Sequence, residues 1–189
     1  MEYTLPKTVA IDGEQHEIRY DFRVILTILE ALKDPDLSDY DKAETAITLF
    51  YVSPDGIKNP NEALVACYSF IDMGKQKTVA KSPRLMDWEQ DFPYIIAPIN
   101  RVLGKESREI PYDFETNTGG LHWWTFMGAY MEIGECMFSQ IVSIREKQAR
   151  GKKLEKHERE WYRRNIDIIE FKQKFTDDEN ELTKEWMGV

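Results

Sequence analysis

The sequence predicts a mainly α fold, a short N-terminal β-hairpin followed by a multi-helix bundle of about six or seven helices, with more than half of the residues helical. Two short segments flank Asp12-Gly13, a dipeptide that accepts the positive φ angles of a type I′ turn. After Tyr20 the apolar residues recur at three- and four-residue spacing, and no later stretch alternates with the two-residue period of a strand. At 189 residues, 42% of them apolar and 12% aromatic, the chain can bury enough surface to offset the entropy of ordering, which excludes disorder for most of it.

The hairpin occupies residues 3–11 and 14–20, with Gln15, Glu17 and Arg19 on one side and His16, Ile18 and Tyr20 on the other. His16 is thereby a strand residue rather than a ligand. Asp21 stands at an N-cap position, and Phe22, Ile25, Leu26, Leu29 and Leu32 form a helical stripe that Asp34-Pro35 ends. A second helix begins near Ser38, with Asp41 three residues on as a relative of the capping box. Ala43, Ile47, Phe50 and Tyr51 share its face before the turn Ser53-Pro54-Asp55-Gly56. Asn59-Pro60 supplies the cap and first-turn proline of a third helix, whose stripe is Leu64, Cys67, Tyr68 and Ile71 and whose end is Gly74. Residues 75–83 are polar and read as a flexible loop.

Apolar residues return over 85–103, where Pro93 and Pro98 each remove a backbone donor and disfavour helical geometry in the preceding residue, so a kinked or broken helix is expected. Residues 106–120 are irregular, punctuated by Ile110-Pro111 and Gly119-Gly120, and mark the expected boundary between an N-terminal body and a C-terminal helical unit. The organisation expected is therefore a hairpin plus helical body over 1–118, a helical unit with a basic helix over 119–175 and an acidic tail over 176–189, together one compact domain. In the second part, Trp124, Met127, Gly128 and Met131 share one side of a helix, and Phe138, Ile141, Val142 and Arg145 continue the spacing beyond Gly134. Gly128 and Gly134 leave room for another helix to approach. After Gly151, the residues Leu154, His157, Trp161, Ile168 and Phe171 outline a further helix, and Leu182, Trp186 and Met187 give the tail the spacing of a short docking helix or a frayed end.

The net charge of −9 is unevenly spread: residues 145–174 hold 11 Lys+Arg against 6 Asp+Glu, so the rest of the chain carries −14. A solvated face paired with the protein's own acids accounts for such a basic helix, and an acidic partner or a nucleic acid are the other readings. No run reaches the length of a membrane-spanning helix, and the first residues lack the basic and apolar regions of a signal peptide, so a cytosolic protein is expected. Cys67 and Cys136 lie in apolar stretches without metal-ligand neighbours and read as buried free thiols.

No catalytic constellation emerges. His16, His122 and His157 lie in three unrelated segments, no Gly-rich phosphate loop, HExxH or calcium-loop pattern occurs, and acidic pairs such as Asp177-Asp178 sit in a polar tail. The expectation is a non-enzymatic protein with no cofactor and no metal. Trp123-Trp124 with Phe126 and Tyr130 resembles a base-stacking platform, but helical spacing, interleaved methionines and the following Glu132 and Glu135 favour a core or protein interface.

The run WWTFMGAYMEIGECMFSQIVSIREKQARGKKLEKHEREWYRRN, residues 123–165, resembles a family of small tailed-bacteriophage proteins, often numbered gene product fifteen, from phages and prophages of low-GC Gram-positive hosts. The similarity extends over most of the chain, including the opening hairpin and the YDFRVILTILEAL helix. Such proteins are usually encoded between the major tail protein and the tape measure. The resemblance implies a tail assembly chaperone that keeps the long helical tape-measure protein soluble in the host cytoplasm and is absent from the finished virion, with the major tail tube protein as a second candidate partner. A structural minor tail component and a small nucleic-acid-associated regulator are the alternatives. The family has no catalytic motif to carry over.

Partner binding is expected in the C-terminal half, on Trp123, Met127, Met131, Phe138 and Trp161, with Arg159, Arg163 and Arg164 at a polar rim; a homo-oligomer is a further expectation. Methionine adapts to non-identical stretches of a long helix, and Trp and Arg are enriched among interface hot spots. The competing expectation is that this stripe packs on the N-terminal body.

Overall fold

The computed structural model describes residues 4–75 and 83–172. Among them the protein is 56% helical, with an antiparallel hairpin followed by helices as the periodicity predicts; the α-helices number eight where six or seven are expected. Contacts divide these residues into two compact units, one of 4–75 with 113–118 and the other of 83–112 with 119–172. The boundary expected at 118/119 does not coincide with this division, because the helix over 88–103 packs with those that follow it. The tail at 176–189 and most of the loop at 75–83 lie outside the described residues.

In the first unit β1 (Thr8–Ile11) pairs with β2 (Glu14–Glu17), Thr8 opposite Glu17 and Ile11 opposite Glu14. Asp12 and Gly13 have φ of 49° and 81°, the paired positive values that a type I′ turn demands. The strands are shorter than the segments that predicted them. Ile18 instead bridges to Tyr51, and alternation fails at Arg19, which is buried beside Ile18 and Tyr20. Three helices complete the unit: α1 (Phe22–Ala31), α2 (Asp39–Phe50) and α3 (Pro60–Ile71).

Each of these helices starts where its cap residue stands. Asp21 accepts from the Arg23 amide, Ser38 and Asp41 form a reciprocal capping box, and Asn59 accepts from the Glu62 amide ahead of Pro60. The buried stripes are rotated by about a residue from those read in the sequence. Val24 and Ile28 join Phe22 and Ile25 inside α1, and Ala63, Cys67 and Phe70 face inward on α3 while Tyr68 is exposed. In segments as apolar as VILTIL or LVACYSF several stripes fit equally well, and only the neighbouring elements choose between them.

The second unit contains α4 (Trp88–Leu103), α5 (Trp123–Met131), α6 (Met137–Ala149), α7 (Lys156–Arg164) and α8 (Ile166–Ile169). The connection between α4 and α5, irregular by its sequence, carries a short two-stranded ladder, β3 (Tyr112–Asp113) with β4 (Thr118–Gly119). Gly119 is required there, since a Cβ would lie 2.4 Å from the Pro111 carbonyl oxygen.

Two expectations are corrected in this unit. α4 is one continuous helix through Pro93 and Pro98, so of the kinked or broken helix expected it is the break that is overturned. Pro93 is exposed and Pro98 half-buried, while Ile95, Ile96 and Ile99 hold the buried face and Asp87 caps the start through the Glu89 and Gln90 amides. Packing and capping outweigh two lost helix bonds. Conversely, the helix outlined over 154–171 ends at Arg164 and resumes as the short α8 after Asn165, whose φ of −129° is not helical. Trp88, Trp123, Phe126, Tyr130 and Phe138 form an aromatic cluster with ring centroids 5.3–6.1 Å apart, the centre of this unit's core together with Ile141, Ile144 and Ile169.

Candidate functional site

The strongest polar feature of the second unit is structural. Arg145 is 4% exposed and all five of its N–H groups are engaged: two bonds go to the Asp91 carboxylate at 2.6 and 3.0 Å, and the others to the carbonyls of Leu85, Ile168 and Ile169. Phe171 stacks on the guanidinium at 4.1 Å. Arg19 does the corresponding work in the first unit. It donates to the carbonyls of Thr48, Leu49 and Tyr51 at the end of α2 and to that of Phe114, whose ring lies 4.0 Å from the guanidinium. Both arginines satisfy carbonyls that a helix terminus leaves without partners.

The residues expected to bind a partner are distributed unevenly. Trp123 and Phe138 are 1% and 2% exposed, so they belong to the core and leave the surface. The reason is that α5 and α6 turn these rings towards Trp88 and Tyr130. Met127 and Trp161 are half-buried, Met131 is 54% exposed, and Arg159, Arg163 and Arg164 are exposed on α7.

α5 is apolar on most of its surface, with Thr125 as an exposed polar residue. Trp123, Phe126 and Ala129 face inward, while Trp124, Met127 and Gly128 remain partly accessible next to Met131. A Cβ built on Gly128 meets nothing within 4 Å. This helix therefore carries an accessible apolar stripe with a notch at its middle, the side of the helix that the sequence spacing grouped together. His122 caps it, its Nδ1 accepting the Trp124 amide at 3.0 Å, which requires that nitrogen to be unprotonated.

α7 has no buried residue and lies between two grooves. One, of about 550 Å³, is lined by Cys136, Ser139, Ile144, His157 and Trp161 among others. The second, of about 490 Å³, is bounded by Lys153, Leu154, Arg159, Tyr162 and Arg163. Trp161 thus lines one groove, and Arg159 and Arg163 line the other. The helix is fastened to α6 by the Lys147–Glu158 ion pair, whose hydrogen bond holds the Glu158 carboxyl below its ordinary value. Tyr162 donates to a Glu170 carboxylate oxygen at 2.6 Å, a bond that raises its phenol pKa.

Among the described residues no group of three or more His, Cys, Asp or Glu is placed to hold a metal ion. Cys67 is fully buried and its thiol is pushed up to about 12 by desolvation, which suppresses the reactive thiolate; Cys136 is a half-buried free thiol. No helix is long and apolar enough to cross a membrane among the described residues.

Sequence reasoning missed Asp91 and Tyr162. A charged residue in phase with Phe138 and Ile141 was a usable signal for Arg145, but nothing local identifies its carboxylate partner 54 residues earlier. No curated protein and no solved structure matches the chain. A family model matches residues 1–171, and the chain belongs to the bacteriophage Gp15 protein family.

Proposed function

We propose that the protein is a non-enzymatic tail assembly chaperone, which binds the phage tape-measure protein in the host cytoplasm, keeps it soluble for tail tube assembly and departs before the virion is complete. The observation that supports this reading most is the accessible stripe of α5, in which Trp124, Met127 and Met131 border a glycine with open space above it. A long helix presenting an apolar edge can lay that edge along such a stripe, and a bare glycine lets the two axes approach closely. Methionine side chains adapt to successive, non-identical stretches. The phage family supplies the biological setting.

Co-expression with the tape-measure protein tests the proposal. The wild-type chain is expected to keep that protein soluble and to co-purify with it, whereas Gly128→Leu and Met131→Asp weaken retention without unfolding the chain, since neither site is enclosed. A tape measure that stays insoluble and does not co-purify refutes the proposal. So does a stoichiometric amount of the protein in purified virions, which indicates a structural tail component instead.

A further inference from the structure

We infer that the groove bounded by Lys153, Leu154, Arg159, Tyr162 and Arg163 is a docking site for an acidic, leucine-bearing peptide segment of a partner protein. The inference does not rest on the tape-measure reading, because any partner with such a segment fits the same chemistry.

The groove carries unneutralised charge. Arg145, Lys147 and Arg150 are paired with Asp91, Glu158 and Glu146. Lys153, Arg159 and Arg163 are exposed and have no acidic partner among the described residues, although the whole chain carries nine surplus negative charges. Arg159 and Arg163 stand four residues apart on one face of α7, an arrangement that is repulsive until an anion screens it. Guanidinium forks facing one opening suit carboxylates, which accept two bonds from each.

The floor decides the rest of the partner's chemistry. Leu154 and Tyr162 are half-buried and supply apolar surface between the cations, and the Tyr162 ring is held in place by its bond to Glu170. A site with an apolar floor and a cationic rim matches a short segment that offers leucine to the floor and glutamate or aspartate to the rim. A nucleic-acid strand needs a longer cationic track with several stacking rings. Here the opening presents three cations and one aromatic ring, Tyr162, too short a track for a strand of several nucleotides.

The test uses the full chain and three fluorescent probes: an amphipathic Glu/Leu peptide, the same peptide with Gln for Glu, and a single-stranded oligonucleotide. Anisotropy at low salt is expected to detect the Glu/Leu peptide, with binding weakened about tenfold or more by Arg159→Glu with Arg163→Glu and also by higher salt. Leu154→Ser is expected to weaken it without changing charge, and the Gln peptide to bind more weakly than its parent. Circular dichroism checks that the variants fold, as expected for a helix with no buried residue. Failure of the Glu/Leu peptide to bind, unchanged binding in the charge-reversed variant, or equal binding of the Gln peptide overturns the inference. An oligonucleotide that binds more tightly and is lost in the same variants overturns it in favour of a nucleic-acid surface. Retention of the tape measure is read separately through α5, so either conclusion can fail alone.

Discussion

Arg145 and Asp91 form a two-bond ion pair in which both side chains are buried, at 4% and 0% exposure, and the same guanidinium ties α6 to the carbonyls of Ile168 and Ile169. A charge is tolerated in that interior only because every donor has an acceptor; an unpaired buried ion costs several kcal/mol.

Removing one member should therefore be severe. Arg145→Met is expected to cost roughly 3–5 kcal/mol, because it leaves Asp91 charged and buried. Asp91→Leu with Arg145→Met should lose less than the sum of the single changes, yet stay below wild type, since the Leu85, Ile168 and Ile169 carbonyls lose their donor. Urea unfolding of the three variants measures the coupling, and simple additivity contradicts this account.

Adjacent tryptophans should differ sharply. Trp123 is enclosed, stacked on Phe126 at 5.7 Å and edge-on to Trp88 at 5.8 Å. Trp123→Ala is expected to cost about 3–5 kcal/mol and Trp124→Ala, at the half-buried neighbour, about 1–2 kcal/mol. Thermal unfolding with equal losses at the two sites contradicts the assignment of core and surface on α5.

Pro93 offers the opposite sign. It lies in the interior of α4 on an exposed position and withholds one helix bond. Alanine is favoured over proline there by about 3 kcal/mol, less about 1 kcal/mol for the looser unfolded chain. Pro93→Ala should raise Tm by several degrees, and a lowered Tm indicates that α4 depends on its proline geometry.

The tie between α6 and α7 should respond to acid. Glu158 has a folded pKa below its ordinary 4.5, so the contribution of its pair with Lys147 is fully present above that value and is lost as pH falls through the depressed one. Amide exchange in α7, corrected for intrinsic rates, should accelerate over that acidic window in the wild type. In Glu158→Gln the helix should exchange faster at neutral pH and show no such step; a pH-dependent step that survives in the variant assigns the titration to another group.

The sequence by itself determined what depends on residues within about four positions of one another. The Asp12-Gly13 turn, the caps at Asp21, Ser38 and Asn59, the stop at Gly151 and the helical character of nearly every later segment follow from local sterics and hydrogen bonding. Of the candidate site, Met127, Met131 and Gly128 on one side of α5 and the arginines of α7 were legible for the same reason. Tertiary structure alone decided which apolar residues became core, because a helix as apolar as α5 fits its neighbours in more than one rotation. It sent Trp123 and Phe138 inward, buried Arg19 and Arg145 against carbonyls far along the chain, carried α4 through two prolines and broke the last helix at Asn165. Such outcomes turn on contacts between residues tens of positions apart, which no local pattern encodes.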